Sequence, residues 1–241
     1  MREKCIDIIQ RYLNNKSIVA EVDIQKMDCN SLSYISYAIE KFSLMPKLEQ
    51  KIRLLVSIRG EGQNDIKRNY YNQLVEFHAL YVLTKMMRFN FVDFDRASNK
   101  QYAQPNKNCD LCLEKNNRLY FADAKDLSGE TMSAAEGEDD NGNKYEHYTP
   151  AIPEVLEGWL KGYIDEADKK GADFLIAHIP TWNLFDVETP DLQEFNQKIS
   201  KGTVLNEDKF LWNIPTAKID KIIFIKAFGF WEIEITKINT F

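Results

Sequence analysis

Apolar positions recur at helical spacing from the start of the chain. In "REKCIDIIQRYL", Cys5, Ile8, Ile9, Tyr12 and Leu13 fall on one side of a helix. A second helix is predicted with Asn30 or Ser31 as its cap, running through Ile35, Ala38, Ile39 and Phe42 and stopping before Pro46. The run "IRGEGQN" from Ile58 to Asn64 reads as a turn. It divides an N-terminal helical appendage, residues 1–62, from a main domain, residues 63–241.

The main domain opens with a long predicted helix from Asp65 to Met87, kept in the core on more than one face by Leu74, Phe77, Leu80 and Tyr81. Glu76 lies on an inward side with Asn72, Gln73, Ala79 and Leu80, so it is a buried carboxylate in need of a partner. His78, two positions on, faces elsewhere and reads as a hydrogen-bonded core residue. "FNFVDFD" is then a strand, and "NCDLCLE" and "RLYFADAKD" form a hairpin about "KNN". Ser128 to Thr149 has no hydrophobic period and is rich in Gly, Asn and acids, which predicts a mobile loop.

An apolar stripe from Ile152 through Val155, Leu156, Trp159, Leu160, Tyr163 and Ile164 to Ala167 marks another helix, ended by Gly171. Its polar side carries Glu154, Glu157 and Lys161, read as a solvated face. "ADFLIAHIP" follows as a buried strand; a polar stretch from Thr181 to Asn213 precedes two more strands, "KIIFIKAF" and "WEIEITKI". The order of helix, three strands, helix and strand indicates an α/β fold with a mixed central sheet.

Composition narrows the class. With 44% hydrophobic and 28% charged residues over 241 positions, the chain can bury a core of ordinary globular type. No apolar run approaches the roughly 18 residues that span a bilayer. The first residues lack a signal peptide's apolar block, so no membrane is expected as a partner and the expected location is the cytoplasm. All four cysteines are read as reduced; Cys109 and Cys112 form a CxxC without the further ligands of a zinc knuckle and are read as packing residues. The net charge of -6 weighs against broad nonspecific nucleic-acid binding, yet the segment from Lys47 to Lys100 is locally basic. Lys67, Arg68, Lys85, Arg88 and Arg96 are its candidate phosphate contacts.

The chemistry concentrates in the hairpin. Leu119, Phe121, Asp123 and Lys125 share one strand face, and pairing across "EKNNR" brings Asp110 within reach of Asp123. Glu76 joins them if the preceding helix packs on that face. Buried carboxylates beside an ammonium are costly unless they pair or hold a metal. Hard oxygen ligands of this kind suit Mg2+ or Mn2+ and phosphodiester hydrolysis. The plainer alternative is a strand-end salt bridge between Asp123 and Lys125, with Asp110 capping a turn and Glu76 solvated.

Asp110 followed on the next strand by Asp123-Ala124-Lys125, with an acidic residue on the helix before, resembles the PD-(D/E)xK nuclease superfamily. The resemblance implies a restriction-endonuclease-like core over Asp65 to Pro180 and metal-dependent cleavage of DNA, less often RNA. It implies Asp110, Asp123, Glu76 and the carbonyl of Ala124 as metal ligands, with Lys125 positioning or activating water. Cys109 stands where proline is frequent in the family. The later helix has no QxxxY, so small restriction or phage-defence endonucleases are the better likeness. A homodimer would let two such sites cut both strands of a duplex. A catalytically silent relative serving as a nucleic-acid-binding or assembly subunit is the rival expectation.

Overall fold

The computed structural model describes the backbone of residues 1–57, 63–126, 132–138, 144–150, 153–178, 218–226 and 229–234. Side chains are described over 1–57, 70–126, 162–178, 218–223 and 225. Helix α1 spans Arg2–Asn15 and buries Cys5, Ile9, Tyr12 and Leu13, as its spacing requires. Helix α2 spans Cys29–Phe42 and is capped by Asp28 rather than by Asn30 or Ser31. The Asp28 carboxylate accepts from the amides of both those residues at 2.9 Å, satisfying two orphan donors at once. Pro46 does more than stop α2. It opens a third helix, α3 (Pro46–Val56), at the position where a missing N–H costs nothing.

Helix α4 spans Gln63–Tyr81 and passes into a π-helical turn, Val82–Met86, where the Met87 amide donates to the Val82 carbonyl. Leu74, Phe77, Leu80 and Tyr81 are buried. Apolar residues of α1 to α3, among them Ile9, Leu32, Ile35, Leu48, Ile52 and Leu55, belong to the same hydrophobic cluster as α4 and the sheet.

That sheet has six strands: β1 (Asn90–Ala97), β2 (Asn108–Lys115), β3 (Arg118–Asp126), β6 (Phe174–His178), β7 (Lys221–Lys226) and β8 (Gly229–Glu234), in the order β1-β2-β3-β6-β7-β8. β3 with β6 and β6 with β7 are parallel and the other pairs antiparallel, so the sheet is mixed and the class is α/β. Between β3 and α5 (Pro153–Lys170) lies a separate antiparallel ribbon, β4 (Met132–Glu138) and β5 (Lys144–Pro150). The segment expected to be a mobile loop therefore contains paired strands. Main-chain hydrogen bonds hold such a ribbon whatever the side-chain pattern, so a search for hydrophobic period passes over it. The polar stretch from Thr181 to Asn213 lies outside the described residues, as does the expected turn from Ile58 as far as residue 62. Among the described residues, no helix is long and apolar enough to cross a membrane.

The hairpin turn sets the register of β2 against β3. Asn116 and Asn117 both adopt left-handed backbone, φ 53° and 60°, as a tight two-residue turn demands. Lys115 then pairs with Arg118 and Leu111 with Ala122. One step further along the same register puts Asp110 beside Asp123. Leu111, Ala122 and Ala124 face the α4 cluster, whereas Asp123 and Lys125 meet side chains of α5 on the opposite face.

Candidate functional site

Two acidic strand residues, an alternating lysine and the last two turns of α5 converge at this point. Asp110 Oδ2 accepts a hydrogen bond from the Ala124 amide at 2.7 Å, which ties β2 to β3 beside the turn-set register. Asp123 is fully buried. Lys125 Nζ stands 3.3 Å from Asp123 Oδ2 and 3.3 Å from Glu166 Oε1. Lys170, the last residue of α5, donates to Asp123 Oδ1, and its Nζ lies 3.6 Å from Asp110 Oδ1 and 3.7 Å from Glu166 Oε1. Three carboxylates and two ammoniums thus form one cluster. Asp123 Oδ2 is buried and accepts no hydrogen bond, the Lys125 contact being an ion pair only.

Burial, and next the negative charge of Asp110, pushes the Asp123 carboxyl up to about 7, against the pull of Lys125 and Lys170. Burial alone would lower Lys170, but Asp110 and Asp123 outweigh it and hold the ammonium above its ordinary range. The two shifts agree in sense: with Asp110 alongside, the Lys170–Asp123 pair keeps its proton. Burial would raise Glu166, yet Lys125 and Lys170 keep it below the usual carboxylate value.

Glu76 is inward-facing and 7% exposed, not solvated. It does not stand with Asp123, because α4 covers the other face of the sheet. Its counter-charge is Lys51 from α3, with Nζ 2.6 Å from Glu76 Oε2 and 2.8 Å from Asp95 Oδ1. Burial, then Asp110, pushes this carboxyl up to about 8 despite Lys51. Asp110 is the electrostatic link between the two acidic centres. Among the described residues, no three of His, Cys, Asp and Glu are gathered so that they could share a metal ion. The donor chemistry nonetheless fits a hard divalent cation: two carboxylates on adjacent strands, one with an oxygen left unsatisfied in the interior.

The candidate phosphate contacts scatter. Arg96 is exposed on β1 opposite Cys109, next to Asp110, with its guanidinium 3.9 Å from Cys112 Sγ. Lys85 and Arg88 are exposed near the start of β1, which pairs with Glu114; four residues separate that point from Asp110, about 13 Å of strand. Lys85 donates to the Tyr81 hydroxyl at 2.9 Å and lies over the Tyr81 ring. The side chains of Lys67, Arg68, Glu154, Glu157 and Lys161 lie outside the described residues.

His78 is a core residue stacked on Tyr34, with ring centroids 4.2 Å apart, and His178 bonds Asp126 through Nδ1 at 2.6 Å. Cys109 and Cys112 are buried and free; Cys109 Sγ donates to the Lys170 carbonyl at 3.4 Å. Cys29, by contrast, is exposed.

Glu166 and Lys170 were missed by sequence reasoning. Their i, i+4 spacing on α5 was available as a signal, but such pairs are common on solvated faces. Lys51 gave no signal, since its partners stand far along the chain. No protein-family model, curated protein or solved structure matches this chain.

Proposed function

We propose that the protein is a metal-dependent nuclease hydrolysing nucleic-acid phosphodiesters, a DNA endonuclease of restriction or phage-defence type on a restriction-endonuclease-like core. The observation that carries this reading is Asp123: fully buried, with one carboxylate oxygen accepting no hydrogen bond, between Asp110 and Lys125. The order α4, β1, β2, β3, then α5 and β6 after the inserted β4–β5 ribbon, supports the same family likeness. Asp110, Asp123 and the Ala124 carbonyl would hold Mg2+ or Mn2+. Bound there, the metal would supply an activated water and neutralise charge building on the phosphorus. Lys125 is close enough to the carboxylates to orient that water and stabilise developing negative charge. Glu76 is engaged by Lys51 through Oε2.

Supercoiled plasmid, linear duplex, single-stranded DNA and RNA incubated with Mg2+, Mn2+ or EDTA test the proposal, beside Asp123→Ala and Lys125→Ala. Metal-dependent cutting lost in both variants is the expected result. Absence of cutting on every substrate favours the second reading, a silent relative that binds nucleic acid or assembles with a partner. One observation speaks for that reading: Lys170 and Lys51 already neutralise the carboxylates from within.

A further inference from the structure

The sequence pattern supplied one lysine to this site and the fold supplies two, on different oxygens of the same carboxylate. Lys125 faces Asp123 Oδ2, whereas Lys170 bonds Oδ1 and reaches toward Asp110. We propose that the Lys170 ammonium is an exchangeable internal cation, holding the place between Asp110 and Asp123 until a divalent cation takes it and Lys170 withdraws to Glu166. The proposal rests on the metal-site reading of Asp110 and Asp123 and adds the residue that competes with the metal.

Three features carry it. The backbone of Lys170 is pinned: Gly171 follows in left-handed conformation, φ 74°, packed so closely on Ala103 and Ser98 that a Cβ would fall 2.8 Å from each, and the Lys170 carbonyl accepts from Cys109. Only the flexible four-carbon stem can move. Next, an alternative partner is at hand one turn back, because Glu166 Oε1 is already 3.7 Å from Lys170 Nζ and its side chain is 40% exposed. The lysine can therefore leave the carboxylates without becoming an unpaired charge. Finally, the ammonium leaves Asp123 Oδ2 without a hydrogen bond, an unsatisfied hard donor that a multiply coordinated cation can use. With all five groups ionised, the cluster's charge is one negative, and a divalent cation added with Lys170 retained by Glu166 makes it one positive.

The test reads metal binding, not cutting, on the full chain. Mn2+ is titrated into the wild type, Lys170→Met and Asp123→Asn, with free Mn2+ followed by electron paramagnetic resonance. Lys170→Met is expected to bind at least about tenfold more tightly than the wild type, and Asp123→Asn to lose binding. In the wild type, acylation of Lys170 by an amine-reactive ester, located by mass spectrometry, is expected to rise severalfold on adding Mn2+, with neighbouring Lys169 as the unchanged control. That labelling decides the matter if Lys170→Met fails to fold. Wild-type Mn2+ binding with no gain in the variant, or with unchanged labelling of Lys170, overturns the exchange and leaves the metal site standing. No Mn2+ binding by either protein overturns both.

Discussion

Replacing Glu76 by Gln separates two forces that meet at one buried carboxyl. Lys51 Nζ, 2.6 Å from Oε2, favours the ionised form; burial, then the charge of Asp110, favours the acid and moves the group from 4.5 to about 8. A carboxyl raised on folding binds its proton more tightly in the native state than in the unfolded chain. Its stabilisation is fully present below pH 4.5 and is lost as pH rises through 8. At about 1.4 kcal/mol per pH unit, the loss between pH 5 and 8 reaches ~4 kcal/mol as an upper bound. Gln cannot ionise and shows none of it. Even half of that difference, ~2 kcal/mol, shifts Tm by roughly 4–8 °C in a chain of this size. Urea unfolding followed by tryptophan fluorescence, in EDTA at pH 5, 6, 7 and 8, measures it. The variant is expected to gain on the wild type steadily toward pH 8. Parallel stability curves would refute the reasoning, because they would mean that Lys51 holds Glu76 ionised throughout.

Further expectations concern the scaffold and the nucleic-acid surface. Asp173→Ala should cost about 3 kcal/mol in urea unfolding, since buried Asp173 accepts from the Phe121 amide at 2.8 Å and pairs with Lys100 at 2.8 Å. A cost below about 0.5 kcal/mol, the range of ordinary surface changes, would contradict that role. Gly171→Ala should destabilise by about 1–3 kcal/mol, because the new methyl meets Ala103 and Ser98 at a left-handed backbone position; an unchanged Tm would show that the segment relaxes freely. Arg96→Ala should weaken duplex binding at every sequence and lower the log–log salt slope by about one, as loss of a phosphate contact does. An unchanged slope puts the phosphate contacts elsewhere.

Much of this architecture is written in local pattern. The stripes of α1 and α4, and Gly171 at the end of α5, are visible because a helix repeats every few residues and stops where its termini can be satisfied. The β2–β3 hairpin is equally legible, since Asn116-Asn117 tolerates the left-handed turn and the count of residues from it sets Asp110 against Asp123. Local pattern says nothing of charges that meet across the fold. Lys51 reaches Glu76 only because α3 packs on α4 and β1, and Lys170 reaches Asp123 only because α5 crosses the sheet beneath β3. Which face α4 covers is likewise a tertiary matter, and it decided that Glu76 would answer to Lys51 rather than stand with Asp123. Desolvation is a property of the assembled interior. A sequence can therefore name the carboxylates, but their counter-ions and proton affinities are settled only when distant segments close over them.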